Sequence, residues 1–304
     1  MNNKLMLIVN PAAGKGQSRG CVLDIIQVFS KAGYTTTVYP TNYSGHARVL
    51  AREHGSEYPI IVCIGGDGTL SDVFGGLMEI PKEQRPKVGY IPLGTANDVA
   101  TSLKLHKNPT QAAEEITKGT PLELDVGSFN DDYFSYIAAF GAFTEVSYAT
   151  SQQTKKALGH FAYVLEGMAS LTKITPYHAV VEHDEGVIEG DFVFGSVTNS
   201  TSVAGLVKLD PSIVELNDGL FEIILVRTPK SISELNSIIK QILAQNFNNE
   251  NIVLLHSKKV SFSFNEEVAW TRDGENGGKW QYVSAANNNR AVQILVNETV
   301  EVTK

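Results

Sequence analysis

Three glycine-rich loops each follow a short apolar run in the first third of the chain. Asn10-Pro11-Ala12-Ala13-Gly14-Lys15-Gly16 follows Leu5–Val9, Gly65-Gly66-Asp67-Gly68-Thr69 follows Pro59–Ile64, and Pro92-Leu93-Gly94-Thr95-Ala96-Asn97-Asp98 follows Val88–Ile91. Glycine lets a backbone approach a ligand closely and adopt positive φ. A helix beginning just after such a loop points N–H groups and the positive end of its dipole at an anion. Glycine at one strand-to-helix turn has a purely steric explanation; three such turns at one edge of one sheet point to a polyphosphate site. Neither common phosphate-binding pattern accounts for them. Lys15 is followed by Gly16 where a P-loop needs Ser or Thr, and Gly14-Lys15-Gly16-Gln17-Ser18-Arg19-Gly20 misses Gly-x-Gly-x-x-Gly by one residue.

Asp67 is the odd charge in this set. A carboxylate among phosphate-binding amides repels the ligand unless a cation lies between them, so Asp67 reads as acting through Mg²⁺. The competing reading makes it the cap of a helix starting near Leu70. Asn97 and Asp98 open a helix, and capping is their first reading. Thr41 follows a strand ending at Pro40; its hydroxyl suits a phosphate or nucleoside, and equally a Thr-Asn turn cap.

The elements that position these loops alternate. Strands are expected at Leu5–Val9, Thr35–Tyr39, Pro59–Ile64 and Val88–Ile91, with helices at Cys21–Phe29, Gly45–Glu53, Leu70–Met78 and from Ala96 to Leu103. Such alternation means a parallel sheet covered on both faces, with ligands beyond the carboxyl ends of its strands. After Pro121 the pattern changes. Leu122, Leu124 and Val126 alternate with Glu123, Asp125 and Gly127. Extended segments follow at Tyr133–Ala139, Tyr177–Glu182, Phe192–Thr198, Leu220–Val226, Val260–Phe264 and Val292–Val296. Helices are expected at His160–Leu171 and at Ser231–Gln245, the latter opened by a Ser231-x-x-Glu234 capping box. Many strands with short turns predict a mainly antiparallel second domain, a sandwich. Asn246–Asn251 and Asn287–Asn289 read as solvated loops.

Composition sets the outer limits. The chain has 304 residues, which suggests roughly two domains. Hydrophobic residues make up 42% and charged residues 19%, which argues against disorder. The net charge of −8 disfavours broad nucleic-acid binding. Cys21 and Cys63 cannot build a disulfide framework, and Cys63 lies inside an apolar run. No apolar stretch is long enough for a transmembrane helix, so the expectation is a soluble cytoplasmic protein with at most peripheral membrane contact. The seven histidines show no metal-ligand spacing.

The ordered set of three loops resembles the diacylglycerol kinase catalytic domain, and more closely the soluble bacterial lipid kinases of that family. Gly-Gly-Asp-Gly alone is shared with NAD kinases and phosphofructokinases. Asn217-Asp218-Gly219-Leu220-Phe221-Glu222 and Asp273-Gly274-Glu275 extend the resemblance over the full length. It implies an α/β nucleotide-binding domain over residues 1–125, completed by 297–304, and a β-sandwich lipid-substrate domain over 126–296, with a cleft between them. It implies a phosphotransferase with an alcohol acceptor: ATP as donor, Mg²⁺ as cofactor, and the hydroxyl of diacylglycerol or a related lipid alcohol as acceptor. Asn10, Thr41, Gly65, Gly66, Asp67, Gly68, Thr69 and Thr95 would line the nucleotide site. A structural Mg²⁺ would be held by the Asp218 carboxylate and the carbonyls of Glu215 and Leu220. By itself, Asn-Asp-Gly is an ordinary turn before a strand.

The resemblance makes Glu275 the general base, with Asp67 as its catalytic companion, whereas local sequence alone reads Arg272-Asp273-Gly274-Glu275 as a hairpin turn with solvated charges. Asp125 either joins a charge network near the domain junction or is simply exposed. Lys155-Lys156 opens a stretch that either touches anionic lipid or ends a solvated helix. An NAD kinase-like enzyme and a catalytically idle nucleotide sensor are the alternative functions. The substrate would be met at the inner membrane face, no nucleic acid is involved, and free strand edges would allow a homodimer.

Overall fold

The computed structural model describes residues 3–95, 97–141, 175–200, 202–203, 207–208, 215–244, 246–247 and 249–297. They fall into two compact units. One comprises the described residues of Met1–Val126, Leu216–Asp218 and Asn288–Lys304, the other those of Gly127–Glu215 and Gly219–Asn287. The expected helix at His160–Leu171 and the Lys155-Lys156 stretch lie outside the described residues.

In the first unit, β1 (Lys4–Val9), β2 (Thr35–Pro40), β3 (Ile60–Gly65) and β4 (Lys87–Pro92) pair in parallel in the order β2-β1-β3-β4. Helices α1 (Gln17–Lys31), α2 (His46–His54), α3 (Asp67–Met78), α4 (Asp98–Ser102) and α5 (Pro109–Lys118) lie between and after them. Leu5, Leu7, Val62 and Ile64 pack with Ile25 and Phe29 of α1 and Ala112, Ala113 and Ile116 of α5. The alternate residues Met6, Ile8, Ile61 and Cys63 are equally buried, because both faces of the sheet are covered. Register matters most here. Val9 lies beside Pro40 and Ile64, and Gly65 beside Pro92, so the four strands end level. Level ends place the residues that follow them along one edge.

Two helices differ from expectation. α3 begins at Asp67, three residues before Leu70, with Gly66 as its N-cap. The second glycine-rich loop is therefore largely the first turn of a helix. α5 was not expected at all; Asn108 caps it through the N–H groups of Thr110 and Gln111, and Pro109 occupies its first position.

The second unit is β-rich. It contains the end of β5 (Thr120–Phe129), then β6 (Asp132–Phe134), β7 (Ile137–Gly141), β8 (Tyr177–His183), β9 (Gly186–Thr198), the short β10 (Ser202–Val203) and β11 (Val207–Lys208), β12 (Phe221–Arg227), helix α6 (Ile232–Leu243), β13 (Ile252–Ser257), β14 (Lys259–Arg272) and most of β15 (Glu275–Val296). The strand pairs described within it are antiparallel. Its core gathers Phe129, Phe140, Phe262 and Phe264 around the fully buried Trp270, with ring centroids 4.9 to 6.2 Å from the indole. At α6, Ser231 Oγ accepts the Glu234 N–H at 3.1 Å, while the Glu234 carboxylate reaches the N–H of Lys230, one residue upstream of the usual box. The last part of β15 belongs to the first unit, where Ile294 pairs in parallel with Val88.

Candidate active site

The level strand ends bring the three glycine-rich loops into direct contact. Asn10 donates its backbone N–H to Ile64 O at 2.9 Å and its side-chain amide to Thr69 Oγ1 at 3.1 Å, tying the first loop to the second. Leu93 donates its N–H to Gly65 O at 2.7 Å, tying the third loop to the second. Thr41 donates its N–H to Val9 O at 2.8 Å, so its place is beside Asn10. Thr95 is exposed in the third loop. A Cβ on Gly94 would lie 2.6 Å from Gly66 Cα and 2.7 Å from Asn97 Oδ1. The two backbones therefore touch at a point where no side chain fits. Gly68, in the first turn of α3, is half-buried; opening N–H groups of a helix have no intrahelical acceptor and suit an anion.

Asp67 does not cap its own helix. It is 8% exposed, and its carboxylate accepts the N–H of Asp98 at 3.1 Å and that of Val99 at 3.4 Å. It therefore caps α4, some thirty residues away in sequence. The expectation that Asn97 and Asp98 cap that helix is corrected accordingly. Asn97 sits in the left-handed region (φ 54°), and its side chain turns back to accept from Gly94 N at 2.8 Å and donate to Gly94 O at 2.9 Å. Tyr90, buried in β4, donates to Asn97 Oδ1 at 3.4 Å. Burial first, and then the Asp67 charge, hold its phenol well above the ordinary range. Nothing in the local sequence marks Tyr90 as a neighbour of the site.

Glu275 opens β15 and is exposed, opposite Arg272 across a two-residue turn. The turn residues Asp273 and Gly274 both have positive φ, as a hairpin of this size favours. Its charges are not all solvated. Asp273 is 5% exposed and accepts three consecutive N–H groups: Ser135 at 2.6 Å, Tyr136 at 3.0 Å and Ile137 at 3.1 Å. Those donations interrupt the strand expected at Tyr133–Ala139, which divides into β6 and β7. Arg272 is paired with Asp132, donates to Tyr133 O at 3.0 Å and lies over the Phe129 ring. Glu275 is the one carboxylate that this turn presents to solvent.

Glu215 and Asp218 are exposed and Leu220 is half-buried. The turn carrying Asp218 is anchored by Asp125 and the Asn287–Asn289 tract. Asp125 is 1% exposed, which rules out the exposed alternative of its two readings. It accepts the Arg290 N–H at 2.6 Å and the Asn289 amide at 3.0 Å, and donates its own N–H to Leu216 O at 3.0 Å. Asn289 also donates to Asn217 O at 3.0 Å, and Asn288 to Val126 O at 2.9 Å. Asn287 donates to Leu220 O at 3.0 Å. The Asn287–Asn289 tract is thus a row of structural amide donors, not a solvated loop.

Among the described residues, no cluster of three or more His, Cys, Asp or Glu could hold a metal ion. A cation held by the described residues would rely on carbonyls, water or phosphate oxygens as well. That set is chemically apt for Mg²⁺, which takes hard oxygen ligands and keeps several waters. Asp67 stands at the loop junction beside the buried Asp98 and Tyr90, and Asp218 lies exposed on its turn.

Comparison with known proteins agrees with this arrangement. The diacylglycerol kinase catalytic domain model matches residues 4–129, and the YegS C-terminal NAD kinase beta sandwich-like domain model matches residues 138–296. A diacylglycerol kinase from Staphylococcus carnosus (strain TM300) is 34% identical over 281 residues, covering 92% of this chain and 90% of the relative. One from Bacillus subtilis (strain 168) is 31% identical over 274 residues, covering 90% and 89%. The crystal structure of a diacylglycerol kinase from Bacillus anthracis str. Sterne shares the fold, with a TM-score of 0.77 at 22% identity over 98% of both chains. A second structure from that organism aligns with a TM-score of 0.83 at 26% identity, covering 98% of this chain and 97% of its own. The described residues contain no helix long and apolar enough to cross a membrane. By motif, fold and overall likeness, this chain belongs to the diacylglycerol kinase catalytic domain family.

Proposed function

We propose that the chain transfers the γ-phosphoryl group of ATP to the hydroxyl of diacylglycerol or a closely related lipid alcohol, giving phosphatidic acid or its equivalent. The observation that carries this reading is the mutual contact of three glycine-rich loops at one sheet edge, where Asn10 bonds Thr69, Leu93 bonds Gly65, and the backbones of Gly66 and Gly94 pack too closely for a side chain. Asn10, Thr41, the Gly65–Thr69 segment and Thr95 hold the nucleotide, with amide N–H groups taking the phosphate oxygens. Bound Mg²⁺ neutralises charge developing on the phosphates.

Asp67 has two tasks in this reading. It holds α4 through the N–H groups of Asp98 and Val99, and its carboxylate would act on the phosphates through Mg²⁺. Asp218, with the carbonyls of Glu215 and Leu220, is the proposed structural Mg²⁺ turn. Leu220 O accepts the Asn287 amide at 3.0 Å, which ties down the end of that turn. Glu275 takes the proton from the lipid hydroxyl as the new P–O bond forms and the bond to ADP breaks. Its exposure leaves the carboxylate accessible to substrate, while Asp273 fixes the turn that carries it. A lipid acceptor requires contact with a membrane surface.

The test is ADP release with Mg²⁺·ATP and a panel of diacylglycerol, sphingoid base, polyprenol and NAD. Turnover with diacylglycerol that exceeds the lipid-free rate supports the proposal. Turnover with NAD alone would move the chain to the NAD kinase class, and tight ATP binding with no acceptor turned over would make it a sensor.

A further inference from the structure

Two residues past Thr41, the loop after β2 carries a ring pair with no part in the phosphate site. The rings of Tyr43 and His46 stack with centroids 4.5 Å apart and planes at 27°. Three backbone features hold them in place. His46 donates its N–H to Tyr43 O at 3.2 Å, closing a four-residue turn. Gly45 fills the third position of that turn at φ +83°, the left-handed conformation that a type II turn demands of its residue there. Asn42 donates its N–H to His46 Nδ1 at 3.1 Å, which fixes the imidazole plane and makes Nδ1 the acceptor nitrogen. The platform is therefore built before any ligand arrives. Yet Tyr43, whose ring rests on the fixed imidazole, is 60% exposed.

Its location gives it a use. β2 is at one end of the strand order β2-β1-β3-β4, and the glycine-rich loops follow β1, β3 and β4. Neighbouring strands lie about 4.8 Å apart, so the platform and the third loop are separated by roughly 14 Å along one edge. A nucleotide with its phosphates over β1, β3 and β4 has room to extend along this edge to the end of β2, and the loop that follows carries the ring pair. Purine bases stack on such faces, and the Nε2–H left by the Nδ1 acceptor can donate to a ring nitrogen.

We infer that the Tyr43–His46 pair is the nucleobase-stacking subsite of the nucleotide site. The inference rests on the phosphate-cradle reading, and two ligands separate their failures. Binding of Mg²⁺·ATP and of inorganic tripolyphosphate is measured by calorimetry for the wild type, Tyr43→Ala and Tyr43→Phe. The expected result is that Tyr43→Ala weakens ATP binding roughly tenfold, leaves tripolyphosphate binding unchanged, and that Tyr43→Phe retains most of the ATP affinity. Equal ATP affinity in the wild type and Tyr43→Ala, with tripolyphosphate still bound, overturns the stacking role alone. Parallel loss of both ligands in Tyr43→Ala overturns it too, since the residue would then act on the loops. A wild type that binds neither ligand removes the cradle on which the inference stands.

Discussion

Two Asp-Gly motifs, one in each unit, use their carboxylates in the same way. Asp67 receives the N–H groups of Asp98 and Val99, and Asp273 receives those of Ser135, Tyr136 and Ile137. Both are buried and both fix a segment remote in sequence. They differ in setting. Asp273 takes three consecutive N–H groups at 2.6 to 3.1 Å, while Asp67 takes two at 3.1 and 3.4 Å with the Tyr90 phenol also beside it, among the glycine-rich loops. A carboxylate that appears in a catalytic motif can thus serve mainly as a bracket. In the proposed mechanism, the bracket and the chemical group of the second unit are separate residues, Asp273 and Glu275, whereas Asp67 in the first unit would combine both tasks.

That contrast can be broken by substitution, and the largest effect belongs to Glu275. Glu275→Gln is expected to lower lipid phosphorylation by roughly 10²–10⁴-fold, the usual worth of a general base, with no change in thermal midpoint because the side chain is exposed. Next comes Asp273→Ala, which strands three N–H groups and should destabilise the second unit by about 3 kcal/mol. Urea unfolding followed by Trp270 fluorescence reads this directly, and Asp273→Asn should recover part of the loss. Asp67→Ala should cost about 1–2 kcal/mol through the lost α4 cap. Asp67→Asn sharpens the comparison: it should recover most of that stability, since an oxygen acceptor remains, but not the activity. Recovery of both would reduce Asp67 to a bracket like Asp273.

The smallest effect is expected at the thiols. Burial pushes the Cys63 thiol well above its usual range, and burial also raises Cys21. Maleimide should leave Cys63 unlabelled in the native state while Cys21, half-buried on α1, labels slowly. Fast labelling of Cys63 would show that the first unit's sheet opens.

The contrast also explains what was legible. The strand ends, the glycine-rich loops and the turn at Asp273-Gly274 are local patterns, set by apolar runs and positive-φ residues close in sequence. The partners of the buried carboxylates are not local. Asp273 and Ser135 are 138 residues apart, and Asp125 and Arg290 are 165 apart. A run of asparagines reads as solvated when its acceptors cannot be seen, and Asn288 finds Val126 O across 162 residues. The first helical turn of α3 was hidden for another reason: two glycines around Asp67 suggest a loop, yet the helix begins at Asp67 with Gly66 as its N-cap.

The central claim is transfer of the terminal phosphoryl group to a lipid hydroxyl, activated by the carboxylate beyond the Asp273 turn. The most direct measurement is to incubate the chain with γ-labelled ATP, Mg²⁺ and diacylglycerol in mixed micelles, and to separate the lipids. Label in phosphatidic acid at one equivalent per ADP, abolished in Glu275→Gln, is the predicted result. Label released only as inorganic phosphate, or transferred equally well by Glu275→Gln, would contradict it.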